Sequence, residues 1–436
     1  MPQSFPHVLN GVRVLDLTRA LAGPSCTRML AEMGAEVIKV ESAPRGDMVR
    51  NASTFRNKRS LYYVQHNRGK KSLCVNLRDP RGMALVAGLV GQVDIVVENF
   101  KPGVMADMGL DYDRLKEFKS DVILCSISAM GQTGPLSHKP GYDYIAQAYA
   151  GITSMIGEPD EAPYIPGVGL GDISTGVHAA LGVLAALRHR DQTGEGQHLD
   201  VALLDVYYHY HEVNVHQPRA TNGRLRPRPA GRHMTYACPA GVFQASDGYV
   251  VIMAHLHHWK DLCKAIDRPD LVDHPDFQTD NLRLKRRDTV TQLLEDWLQT
   301  FPDVPSAVAH LEKFGVPVAP VLSVVDTLDY PHLRQRGTVR TITDRLHGEL
   351  DVPGFPIKFS GFPEELPLEA ATLGQHNEEI LTDYLGQTPE QVQELREAGV
   401  LVSLRLAQPS LRASLSPVTV SCSSSGSESH RSAPLP

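Results

Sequence analysis

None of the six cysteines (Cys26, Cys74, Cys125, Cys238, Cys263, Cys422) in this 436-residue sequence forms a CxxC pair or a short repeating spacing. A disulfide framework and a structural zinc are therefore not what organises the chain, and the scatter fits a reducing compartment, so a cytoplasmic location is expected. Positive charge is not in excess: Lys and Arg total 43 against 50 acids, a net charge of -7, which points away from nucleic acid as a partner. The start, Met-Pro-Gln-Ser-Phe-Pro-His7, has neither a basic region nor an apolar run, so no secretory signal is read there. No window looks long and apolar enough to span a bilayer, and no membrane partner is expected. No GxGxxG follows the first expected strand, and Gly167-Val-Gly-Leu-Gly171 is a partial match that follows none, so NAD and FAD are not expected. Histidines gather at His209, His211, His216 and at His255, His257, His258, but Glu212 is the only acid beside them and no recognised ligand spacing results, so no metal site is expected.

What is present reads as alternating strands and helices. Val12 to Leu17 is a short strand that breaks at Ala22-Gly-Pro24, and a helix from about Ser25 stops at Gly34. Ala35–Val40 follows as a second strand, a βαβ unit that implies parallel pairing. A helix from Asp79 leads into Val93–Glu98, and one around Tyr112–Phe118 leads into Val122–Ile127. The fold class expected is α/β, with a discontinuous Rossmann-like large domain whose ligand lies at the carboxyl ends of the strands. The loops to search are then Arg19–Ala22, Asn99–Lys101 and Ser128–Gly131.

The length calls for more than one domain. The large domain takes residues 1–220. Arg219–Arg232 is rich in Arg, Pro and Gly and marks a linker. A smaller α+β domain, 221–330, opens with a hairpin signal, Gly241–Gln244 and Tyr249–Met253 around Ser246-Asp-Gly248. Helical patterns follow at His258–Ile266, Leu282–Phe301 and Val304–Phe314, and from Val321 the chain returns as strand and loop, 331–400, to the large domain. Residues 401–436 are Ser-rich, lack aromatics and carry a single acid, Glu428, so a disordered tail is expected.

One acid stands out, Asp172, in Gly167-Val-Gly-Leu-Gly-Asp172-Ile-Ser-Thr-Gly176, where three glycines leave the backbone free to take conformations a side chain forbids. They deliver a carboxylate to the start of an apolar helix running to about Leu187. By pattern alone two readings stay open: Asp172 caps that helix, or it does chemistry.

Taken together, several blocks resemble the class III coenzyme A-transferases, the formyl-CoA and carnitine CoA-transferase family, from about Leu9 to about Leu381. They are Leu15–Pro24, Gly34–Glu41 with Gly46-Asp47, Gly69–Ser72 with Asn76, Val97–Gly103, Gly131–Pro135, Gly141-Tyr-Asp143, Leu170-Gly-Asp172, Thr193–Gln197, Pro356–Phe359 and Leu373–His376. The resemblance implies an interlocked homodimer that moves CoA from an acyl-CoA thioester to a small carboxylic acid, with CoA as co-substrate and no further cofactor. It makes Asp172 the nucleophile, working through an aspartyl anhydride and an aspartyl-CoA thioester. It places Ala22, Arg78, Asn99, Phe100 and Lys101 on CoA, and Gly141 and Tyr142 against the acyl group. Arg78 and Lys101 also read as solvated charges, and Phe100 as plain core. Ser42 and Asp107 stand where some formyl-CoA transferases carry arginines, and Pro229–His233 replaces the glycine run of that branch. Two rivals remain. An α-methylacyl-CoA racemase shares the aspartate but needs a histidine where this chain has Tyr142, whose phenol is a poor base at neutral pH. A CoA-binding protein without turnover would bind CoA and leave Asp172 unlabelled.

Overall fold

In the computed structural model, which describes residues 7–404 apart from positions 53, 58, 256, 364 and 365, the first βαβ unit is built as its apolar pattern dictates. Strand β1, Arg13–Asp16, is followed by helix α1, Ala22–Glu32, and strand β2, Glu36–Ser42, which lies parallel to β1 with Leu15 opposite Ile38. The helix starts at Ala22, three residues before the expected Ser25. The chain continues through β3, Lys70–Val75; α2, Pro80–Val90, capped by the Asp79 side chain; β4, Ile95–Glu98; α3, Tyr112–Phe118; and β5, Ile123–Ser128. Then come α4, Asp143–Tyr149; α5, Leu170–Thr193; β6, His198–Ala202; and α6, Leu203–His209.

The six strands form one parallel sheet in the order β3-β2-β1-β4-β5-β6. Successive side chains on a strand face opposite sides, which divides the core in two. Val14, Val37, Ile95, Val97 and Cys125 pack with α1 and α5, while Leu15, Ile38, Leu73, Val96 and Leu124 pack with α2 and Leu115 of α3. Helices α1 and α5 pack tightly at Gly176, where an added Cβ would stand 2.7 Å from Ser25 Cβ and 2.8 Å from the Ala22 carbonyl oxygen. By length and composition α5 is apolar enough to cross a bilayer, contrary to the sequence expectation. Its apolar character is spent on the sheet and α1, against which Thr175, Gly176, Ala179, Ala180, Val183 and Ala186 are buried.

Residues 238–318 gather a core of their own. Strands β7, Ala240–Gln244, and β8, Tyr249–Met253, form the expected antiparallel hairpin, joined by β9, Val318–Pro320. Helices α7, His258–Ala265; α8, Arg287–Leu298; and α9, Val304–Lys313 cover it through Trp259, Leu262, Leu294 and Leu311. The single helix read over Leu282–Phe301 is broken at Arg286. Just before the break, the buried guanidinium of Arg283 donates to the carbonyls of Cys238 (2.5 Å) and Phe277 (2.6 Å), a tertiary anchor that periodicity does not reveal.

Past Val321 the chain holds more helix than its pattern gave. A hairpin of β10, Val339–Asp344, and β11, Gly348–Pro353, precedes α10, Asn377–Leu385, and α11, Pro389–Glu397, which bury Ile380, Leu381 and Val392 beneath the large sheet. This segment also closes the β3 edge, which would otherwise present unpaired backbone. Ser72 N–H donates to His376 Nδ1 at 3.0 Å, Cys74 N–H to Asn377 Oδ1 at 2.9 Å, and Val402 N–H to the Cys74 carbonyl at 3.1 Å. Leu401, read as the first tail residue, is buried beside Val75; the tail beyond 404 lies outside the described residues.

Candidate active site

Strand order reverses direction between β1 and β4, so the loops leaving these strands diverge and open a crevice at their carboxyl ends. A cavity of about 410 Å³ lies there, lined by all three loops that the sequence singled out: Arg19–Ala22 after β1, Asn99–Lys101 after β4, and Ser128–Met130 after β5. Asp172 reaches it from the first turn of α5.

The cap reading of Asp172 is overturned. Gly169 precedes α5, and no side chain of the helix's own N-terminus caps it. Asp143, from α4, does that work across space. Its Oδ2 accepts the N–H of Gly171 at 3.1 Å and of Asp172 at 3.2 Å, while its Oδ1 accepts a short hydrogen bond from the Tyr207 hydroxyl. That hydroxyl in turn accepts from Gly171 N–H at 3.0 Å and from Gln147 Nε2 at 3.1 Å, and Gln147 Oε1 accepts from Thr153 Oγ1 at 3.0 Å. Among the described residues, no hydrogen bond ends on the Asp172 carboxyl oxygens.

The glycines make this approach possible, and by space more than by dihedral freedom. Neither Gly169, at φ −78°, nor Gly171 adopts a positive φ. A Cβ on Gly171 would stand 2.2 Å from Tyr207 Cε2 and 2.7 Å from Asp143 Oδ1. Gly167 meets nothing within 4 Å.

Burial, and next the neighbouring charge of Asp143, push the Asp172 carboxyl up to about 7. A carboxylate that basic is a better nucleophile than an ordinary one and still substantially ionised at neutral pH. Burial and Asp143 hold the Tyr207 phenol above its ordinary range, so it remains a protonated donor. Tyr62, on the short helix Leu61–Asn67, is pushed up to about 12 by burial and by the charge of Asp172.

The other site residues read from sequence fall in two groups. Ala22, Asn99, Phe100, Lys101, Gly141, Tyr142 and Asp172 all line the cavity. Arg78 does not: it is exposed on the turn after the edge strand β3. Asn99 has its side chain fully engaged, Oδ1 accepting Arg19 N–H at 2.9 Å and Nδ2 donating to the Arg19 carbonyl at 2.8 Å. It clips the β1 loop to the β4 loop. The Arg19 guanidinium lies 5.6 Å from the Phe100 ring centre, and Phe100 N–H is held by Glu98 Oε2 at 2.7 Å. Phe100 itself packs partly against the core, so both of its readings have a structural counterpart. Tyr142 stands 78% exposed at the rim. Sequence reasoning missed the roles of Asp143, Tyr207 and Gln147, and missed Lys139 and Met48 in the cavity wall. Asp143 was visible in the Gly141-Tyr-Asp143 block. Tyr207 lies 64 residues away and carried no signal.

Residues 9–377 match the profile of CoA-transferase family III. The chain is 35% identical to a succinyl-CoA:glutarate CoA-transferase of Mus musculus over 400 residues, covering 90% of each. It is 36% identical to a succinyl-CoA:mesaconate CoA-transferase of Haloarcula hispanica (86% of this chain, 96% of the relative). It is 33% identical to a formyl-CoA:oxalate CoA-transferase of Streptomyces coelicolor (90% and 99%). Among solved structures, a CAIB/BAIF family protein from Brucella suis superposes with a TM-score of 0.78 at 32% identity, covering 87% of this chain and all of that one.

Proposed function

The chain belongs to CoA-transferase family III and is a transferase, and we propose that it moves CoA from an acyl-CoA to a short dicarboxylic acid with Asp172 as the covalent nucleophile. The observation that carries this reading is the Asp172 carboxyl itself: it faces the cavity, and its helix is capped by Asp143, so its oxygens are uncommitted. The Asp172 carboxylate attacks the thioester carbonyl, the C–S bond breaks, and a mixed anhydride forms with release of CoA thiolate. The thiolate then attacks the aspartyl carbonyl of the anhydride, expelling the donor's carboxylate and leaving an aspartyl-CoA thioester. The acceptor carboxylate repeats the first step on this thioester. The thiolate finally takes the acceptor's carbonyl, which restores the Asp172 carboxylate and releases the new acyl-CoA. Each step exchanges one carboxyl derivative for another, and none calls for a metal or redox cofactor.

Two features support the substrates. Arg19, Lys101 and Lys139 set three cations around the cavity, suited to the phosphates of CoA and to a second carboxylate. The relatives named above act, by name, on glutarate, mesaconate and oxalate, all dicarboxylic acids. A homodimer belongs to the same proposal: Ile173, Val177 and Leu181, at spacings of four along α5, leave an exposed apolar stripe that a second copy would cover. A cytoplasmic location is supported by the described cysteines, all free and buried. The racemase reading is not favoured, because those relatives are CoA-transferases by name and Tyr142 replaces the needed base.

The test is to incubate the protein with succinyl-CoA, trap with hydroxylamine and map the product by peptide mass. A hydroxamate is expected on Asp172, and Asp172→Asn should lose transfer to dicarboxylates by about three or more orders of magnitude while staying folded. A label on another carboxylate, or an active Asn variant, refutes the nucleophile. CoA binding without label or transfer identifies the protein as a binder without turnover.

A further inference from the structure

We infer that Asp143 is a positioning residue for the transfer: it takes over the capping of α5 from Asp172 and holds a second negative charge beside the nucleophile. The inference rests on the nucleophile reading above, and it assigns a role to a residue that need not touch substrate.

The geometry separates the two carboxylates by task. Asp143 is buried and takes three donors, two backbone N–H groups of α5 and the Tyr207 hydroxyl. Asp172, two residues into the same helix, has no such donors among the described residues and opens into the cavity. An aspartate in the first turn of a helix ordinarily satisfies the helix's free N–H groups itself and is stabilised as an anion by them. Were Asp172 to do so, its lone pairs would be engaged and its basicity lowered, both adverse to attack on a carbonyl carbon. Asp143 removes that competition by satisfying those groups from another helix. The Tyr207–Gln147–Thr153 chain fixes the Asp143 carboxylate in turn.

The second part is electrostatic. Like charges held close make each carboxylate harder to ionise, and here one of the pair is stabilised by three donors and the other by none. The proton affinity of the pair is therefore pushed onto Asp172, in the direction already noted for it. Other titratable groups facing this end of α5 are few. They are Tyr207 from α6, Tyr62 from the helix Leu61–Asn67, and Cys26 from α1, whose buried thiol is pushed up to about 12 and stays neutral. Asp47 acts on Tyr62 along with Asp172. Arg19, Lys101 and Lys139 line the same cavity.

The experiment uses the full-length protein and two readouts. The first is the pH dependence of transfer from succinyl-CoA. The second needs no turnover: unfolding stability is measured against pH with and without the substitution Asp172→Asn, and the difference curve reports the ionisation of Asp172 in the folded state. Asp143→Asn keeps a neutral acceptor for the two N–H groups and removes the charge. It is expected to move the midpoint down by about one pH unit in both readouts. Asp143→Ser, a second neutral acceptor with good capping character, serves if the Asn variant does not fold, and the same shift is expected. Tyr207→Phe keeps the charge and should not lower the midpoint, although it disturbs the same network. Asp143→Ala loses cap and charge together and should lose at least about tenfold more transfer than Asp143→Asn at pH 8.5, where Asp172 is ionised in both.

An unmoved midpoint in the neutral variants, or an equal fall in Tyr207→Phe, overturns the positioning role even when Asp172 still takes the label. An unlabelled Asp172 refutes the nucleophile instead, and the stability curves then still decide whether Asp143 sets the ionisation of Asp172.

Discussion

Replacing Asp172 by asparagine should make the protein more stable, by an amount that grows as the pH rises from about 4 to about 7. Asp172 has a carboxyl pushed from 3.8 in the unfolded chain up to about 7 in the folded one, by burial first and by Asp143 second. The folded state thus binds this proton more tightly than the unfolded state does. As pH rises through 4 the unfolded chain ionises first, so folding stability falls from there until the folded group has also ionised near 7, and the loss is complete above it. The interval of roughly three pH units sets an upper bound of about 4 kcal/mol, and the solvent that reaches a half-buried carboxyl reduces it to roughly 1–2 kcal/mol. Asparagine carries no such penalty. Urea unfolding of the wild type and of Asp172→Asn, run from pH 4 to 8.5, should give curves whose separation at pH 4 is a constant set by the amide. That separation should grow in favour of the variant by about 1–2 kcal/mol by pH 8. A separation that stays flat across this range, or grows in favour of the wild type, would show that the folded carboxyl ionises as easily as a free one. The electrostatic account of the site would then fail.

Three more perturbations test the scaffold. Gly176→Ala forces a Cβ to within 2.8 Å of the Ala22 carbonyl, and should cost about 1–3 kcal/mol in unfolding stability; a neutral result would mean that α1 and α5 are free to separate. Asn99→Ala removes both hydrogen bonds to Arg19. It should lower stability by about 1–2 kcal/mol and raise KM for acyl-CoA more than it lowers kcat, whereas a rise in KM with stability unchanged would make Asn99 a direct CoA contact and no clip. Ending the chain after Leu404 should leave stability unchanged, but ending it after Gly399 removes the buried Val400 and Leu401 and should cost about 3–5 kcal/mol; equal melting of the two truncations would refute the packing of this segment on β3.

How much of this was legible depended on whether the information was local. The strands of the large sheet were readable because each is a short apolar run closed by a turn, and Tyr112–Phe118 was placed to the residue. Repeated βα units gave parallel pairing and so aimed the crevice at three loops, while the order β3-β2-β1-β4-β5-β6 was not read from them. The interruption at Arg286 could not be read, since the pattern of Leu282–Phe301 continues through it, and neither could the tertiary bonds of Arg283 to the carbonyls of Cys238 and Phe277 just before it. Helices α10 and α11 were passed over as loop because their amphipathic faces are defined only by the underside of the sheet. The α5 segment was misjudged in a different way: no window was read as apolar enough for a bilayer, yet this helix passes by length and composition, and the packing of Gly176 and Ala179 against α1 shows where its apolar surface goes.

The glycine-rich approach to Asp172 shows why the site needed coordinates. Three alternate glycines suggested a backbone in unusual dihedrals, yet Gly169 is at φ −78° and Gly171 is not in the left-handed region either. What Gly171 supplies is room for the Tyr207 ring and for an Asp143 oxygen. That room lets a carboxylate from another helix reach N–H groups that Asp172 would otherwise claim. The cap and the proposed nucleophile are chemically the same group, and a sequence shows them as two equal aspartates 29 residues apart. Their difference lies in the partners: among the described residues, three donors converge on Asp143 and none reaches the Asp172 carboxyl. A buried carboxylate without donors, beside a like charge, is left basic and open. In the proposed reading, reactivity at Asp172 is therefore a consequence of what Asp143 satisfies.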